Sequence, residues 1–111
     1  MEWLDPWWST ADQSESFHNT FAAQLRLELC EDDPAYGVPA KVIGRGNGDD
    51  ALFQLLDGSD RVAFVHLQWG KLPGRIEDKF RTRSHVYDNL EAFRQQQMLP
   101  EHKEWVADQE G

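Results

Sequence analysis

One cysteine, Cys30, stands in 111 residues, so no internal disulfide is available to staple the fold and a reducing compartment is the expectation. Long apolar runs are missing as well. None approaches the roughly 18 residues that a membrane span requires, and Met1-Glu2-Trp3-Leu4-Asp5 lacks the basic start and apolar stretch of a signal peptide. A cytoplasmic protein that does not engage membranes is expected. Positive charge is also scarce. Eleven Lys and Arg oppose 20 Asp and Glu, a formal charge of -9, which repels phosphate backbones and anionic surfaces. Nucleic acid is therefore not an expected partner. The local exception, Arg75, Lys79, Arg81 and Arg83, is interleaved with Glu77 and Asp78 and reads as a solvated strand face. Clip spacing for metals is absent too: His18, His66, His85 and His102 are dispersed, with no His-x-x-x-His or Cys-x-x-Cys. Neither a metal nor a cofactor is expected.

What the chain does have is apolar and aromatic content, 40% and 12%, enough for a globular core and too high for a disordered chain. The length fits one domain spanning residues 1–111. Its organising stretch is Arg61 to Trp69, six of whose nine residues are apolar. Asp57-Gly58-Ser59-Asp60 before it and Gly70 with Pro73 after it bound a run too short for a helix. It reads as a buried strand. Because side chains alternate, Ala63, Val65, Leu67 and Trp69 share a core face, while Val62, Phe64, His66 and Gln68 share a face that turns polar toward its end.

Ahead of it, Phe17, Phe21, Leu25 and Leu29 recur at four-residue steps and predict a helix from about residue 13 to Cys30, with Thr10-to-Gln13 and Asp12-to-Glu15 at capping-box spacing. Glu31-Asp32-Asp33-Pro34 ends it, since the residue before proline is pushed out of the helical region and acids oppose the helix dipole there. Cys30 reads as a small buried hydrophobe. Ala40 to Ile43 and Ala51 to Leu56 are the first two strands of an antiparallel meander, with Asp57-Gly58 turning the chain into the third. Ile76 to Tyr87 is the expected fourth. Asp88 to Glu91 again has capping-box spacing and opens a second helix to about Met98, which Pro100 breaks; a short turn carrying Trp105 follows. The expected architecture is α+β: a three- or four-stranded meander sheet packed by an N-terminal helix, with a second helix near the C-terminus.

Gly44-Arg45-Gly46-Asn47-Gly48-Asp49-Asp50 superficially suggests a phosphate-binding loop. Such a loop needs a helix after it, and Lys with Ser or Thr to close the signature. Here two aspartates and a strand follow, so a hairpin connection is expected. The alternating acids of a calcium loop are absent too.

The order of these features, Asp33-Pro34 with Tyr36-Gly37, Asp49-Asp50 with Leu52-Phe53, Val65-His66-Leu67-Gln68-Trp69, then Met98 with Trp105, resembles a small family of uncharacterised bacterial proteins. Gln68 stands where that pattern has Thr. The resemblance spans most of the chain and implies the fold and a bacterial cytoplasmic setting, with no activity attached.

Two classes of function follow from the residues. In the first, the chain is a protein-binding module, immunity-type or accessory, that meets a partner with a basic face: Asp32, Asp33, Asp49 and Asp50 attract it and the indoles of Trp3, Trp7 and Trp8 anchor it. The tryptophans have a second reading, folded back over the sheet as core, and a third, a patch covered by a second copy in a homodimer. In the other class, a small enzyme or ligand-binding protein, His66 serves as a base oriented by Asp49 or Asp50, with Tyr36 or Tyr87 as donor. A lone strand histidine is more often structural, and no activated nucleophile is recognisable, so the binding module is the favoured expectation.

Overall fold

Strand alternation sets the layers. In the computed structural model, which describes residues 1–69 and 82–110, Val62–His66 forms β4, paired antiparallel to β3 (Asp50–Leu55) and β5 (Ser84–Tyr87). Ala63 and Val65 point to one side of the sheet and Val62 and Phe64 to the other. Both sides are cores. On the first, Val42, Phe53, Leu55, Ala63, Val65 and Leu67 pack against the Phe21, Leu25 and Leu29 stripe of α1 (Glu15–Glu28), with Phe17 and Trp69 at the margin. On the second, Leu52, Val62 and Tyr87 pack with Trp7, Phe93 and Met98. The face expected to turn polar is thus mostly covered along β4, which opens at His66.

Among the described residues the sheet has five strands in sequential order, each pair antiparallel. The α+β meander was expected with three or four. The extra strand is β1 (Trp8–Ser9), which joins the edge of β2 (Ala40–Arg45). Thr10 prolongs that pairing: its amide donates to the Ile43 carbonyl at 3.1 Å and its buried hydroxyl to Val42 O at 2.9 Å. That use of Thr10 removes it as a helix cap. The cap of α1 is instead Ser14, whose hydroxyl accepts from Phe17 N, and neither expected capping box forms it.

A bulge between Val42 and Gly44 makes Ile43 an extra residue of β2. Val42 faces α1, whereas Ile43 and Gly44 both serve the opposite face. There the glycines find their purpose. A Cβ on Gly44 would lie 2.4 Å from Trp3 Cη2 and Cζ3, and one on Gly46 2.9 Å from Trp7 Cε2 and Cζ2. Indole rings lie directly on this backbone, which only glycine permits. The β2–β3 connection is closed by Arg45, which reaches Gly48 O at 2.7 Å and Asp50 O at 3.2 Å and lies 4.8 Å over the Phe21 ring.

The expected strand from Ile76 is observed over Ser84–Tyr87; residues 76–81 lie outside the described residues, as do Arg75, Lys79 and Arg81 of the basic cluster. The helix after it starts at Leu90, capped by Asn89, whose side chain accepts from Ala92 N at 2.8 Å. Pro100 does not break it. α2 (Leu90–Phe93) runs through a π-helical stretch, Arg94–Met98, into α3 (Leu99–Glu110). The Leu99 amide bonds to Arg94 O, five residues back. That wider turn shifts the carbonyls a proline ring would otherwise strike, so the helix carries Pro100 as its second residue.

Candidate functional site

Among the described residues, two polar centres and one apolar groove are chemically distinctive. The first centre grows from strand register. Asp50 on β3 is paired with His66 on β4, and this places Asp50 Oδ1 2.7 Å from His66 Nδ1. The His66 side chain is 59% exposed and that of Asp50 19%. An acid fixing Nδ1 leaves Nε2 as the nitrogen open to chemistry. On the same face the second residue layer converges. Trp7 Nε1 donates to Glu101 Oε2 at 3.2 Å, Gln97 donates to Glu101 Oε1, and the Tyr87 hydroxyl donates to Gln97 Oε1 at 3.4 Å. Burial pushes the Glu101 carboxyl above its ordinary range, the Gln97 and Trp7 donors offset part of this, and the negative charges of Asp50 and Glu104 add to it. Burial, with Glu101 nearby, likewise raises the Tyr87 phenol.

The second centre is Glu28, which falls on the inner side of α1 three residues after Leu25. Its carboxylate accepts from four donors: Gln68 N at 2.6 Å, Trp69 N at 2.9 Å, Thr82 Oγ1 at 2.5 Å and Gln24 Nε2 at 2.5 Å. Burial pushes this carboxyl up, but the donors together outweigh it and hold Glu28 below its usual value. Asp33 acts in parallel, accepting from Ala35 N at 2.9 Å, Ser84 N at 2.8 Å and the Ser84 hydroxyl. These two acids tie the end of α1 to the residues leaving β4 and entering β5.

The expected site residues are therefore scattered. Trp7 is 1% exposed and packs edge-on to Phe93 at 5.0 Å, so its ring belongs to the core; Trp3 packs beside it, and Trp8 alone keeps an exposed indole. Asp33 and Asp50 are engaged internally, Asp32 is exposed, and Asp49 is half-buried with its carbonyl accepting from Leu67 N at 3.1 Å. Tyr36 is exposed near the end of α1, on the face opposite the Tyr87 cluster, so the structure joins His66 to Asp50 and leaves Tyr36 apart. Glu28 and Glu101 were not foreseen. An acid on the apolar stripe of α1 was a readable signal for Glu28; Glu101 had none.

The groove lies between α1 and the Pro34–Pro39 connection. Leu25, Leu29 and Ala35 form its floor and Tyr36 and Val38 its wall; a second recess continues past Gly37 to Leu56, and a third opens at Cys30, Glu31 and Asp32. Among the described residues no three His, Cys, Asp or Glu side chains are placed to hold a metal ion. No helix there is long and apolar enough to cross a membrane. No protein-family model matches the chain, and neither a curated protein nor a solved structure matches it.

Proposed function

We propose that this chain is a small acidic protein-binding module, immunity-type or accessory and without catalysis, that works in a bacterial cytoplasm and meets a protein partner through a basic face. The observation that carries this reading is where the acid surplus lies. Glu2, Asp5, Asp12, Glu15, Glu31 and Asp32 are exposed, with Asp57, Asp60, Asp88, Glu91, Glu104 and Asp108, against exposed Arg26, Lys41, Arg83 and Lys103 among the described residues. Such a surface accelerates encounter with a cationic protein, and salt screens that attraction beyond about 8 Å at physiological strength. The test is affinity capture from a bacterial host followed by measuring the association rate of the identified partner. A basic partner whose association slows steeply with salt supports the reading. An acidic partner, or a rate indifferent to salt, removes it.

The 2.7 Å contact of Asp50 with His66 favours a second reading, in which His66 is a general base oriented by Asp50. Screening ester, amide and phosphoester hydrolysis with the natural chain and with His66→Ala separates the two: turnover lost in the variant supports chemistry, and equal traces end it.

A further inference from the structure

Resting on the reading of the chain as a binding module, we propose that the groove between α1 and the Pro34–Pro39 connection is where the partner docks. Its occupant is an apolar side chain followed by Lys or Arg. The two apolar recesses measure about 190 and 180 Å³ and the acidic recess beside them about 430 Å³, a row of adjoining hollows that takes successive side chains of one bound segment. Leu25, Leu29 and Ala35 make the apolar floor of the first and Ala22, Leu25, Val38 and Leu56 line the second, and the rims stay open: Tyr36 is 46% and Leu56 54% exposed.

Charge supplies the direction. Glu31 and Asp32, both exposed, line the recess that adjoins Leu29 and Tyr36, while Arg26 lines the other two. A cationic residue is drawn to the Glu31 end and repelled from the Arg26 end, so the bound segment runs from apolar to basic toward Glu31. Asp33 takes no part, because Ala35 and Ser84 already occupy its oxygens. Cys30 lines the acidic recess and reports on its occupancy.

The probe is the peptide Ac-Ser-Phe-Lys-Lys-Gly-NH2, titrated into the full ¹⁵N-labelled chain. Two controls carry Ser for Phe, or Glu for both Lys. Saturable shifts at the amides of residues 29–33 and 35–38, slower reaction of Cys30 with a thiol reagent, and a loss of at least about fivefold in affinity for each control support the proposal. The variants Tyr36→Ala and Glu31→Lys with Asp32→Lys should weaken binding as much while their melts stay close to the natural chain's. Shifts that are absent, lie elsewhere, or are equal for the controls overturn it. If the groove fails while a captured basic partner still associates in a salt-dependent way, only the docking site is wrong; an acidic partner removes both readings.

Discussion

Replacing Glu28 by Gln keeps the side-chain shape but leaves one oxygen for four donors. Two of them, either the Gln68 amide with the Thr82 hydroxyl or the Trp69 amide with Gln24, then face an NH₂ group. At about 1 kcal/mol for each partly buried donor that loses its acceptor, Glu28→Gln should cost about 2 kcal/mol, and Glu28→Ala about 3 to 4. For a chain of this size the first corresponds to a melting temperature lower by about 8 °C. Urea unfolding measures the same difference, and Glu31→Gln, at an exposed acid on the same segment, should stay within about 0.5 kcal/mol. A cycle of Glu28→Ala with Thr82→Val should show coupling of about 1 kcal/mol.

The pH dependence has a definite sign. Because the folded value of Glu28 lies below its usual 4.5, its ionised form contributes stability that is fully present above 4.5 and is lost as pH falls through the lowered folded value. The deficit of Glu28→Gln should therefore hold at neutral pH and shrink in acid. If the variant melts with the natural chain at neutral pH, the carboxylate is not what ties α1 to Gln68, Trp69 and Thr82.

Gly46→Ala drives a methyl to 2.9 Å from the buried Trp7 ring and should cost about 1 to 3 kcal/mol in urea unfolding, whereas an unchanged midpoint would mean the ring gives way freely. Trp7→Ala should cost about 3 to 5 kcal/mol; a variant that melts normally would return this indole to the list of partner anchors. Glu101 titrates in the opposite sense to Glu28: with its folded value raised, its protonated form is favoured by folding, so stability falls as pH rises through the window above 4.5. Melts of Glu101→Gln from about pH 4 to about pH 7 should be flatter than those of the natural chain, and an identical slope would contradict the assignment.

The legible parts of this chain were those whose signals lie a few residues apart. The four-residue stripe from Phe17 to Leu29 specified which side of α1 is buried, and the alternation from Val62 to His66 sorted the side chains of β4 between its two faces, though it did not show that both would be core. The turn residues at Asp57-Gly58 marked where β3 returns. Periodicity and turn chemistry act over distances the local chain defines. Everything that depends on which distant residue arrives at a given place was decided by the tertiary structure. Thr10 has the spacing of a helix cap, yet its hydroxyl meets Val42 O, 32 residues away, and the cap falls to Ser14. Pro100 carries the local signature of a helix end, and a π-helical turn just before it cancels that signature. The glycines at 44 and 46 resemble a loop motif until Trp3 and Trp7 lie on them. Asp50 meets His66 across 16 residues, and Glu28 meets Gln68, Trp69 and Thr82 across 40, 41 and 54. A polar side chain offers the same donors and acceptors wherever it sits, so its role follows from strand register and helix placement, which are set by the burial of apolar surface in the chain as a whole.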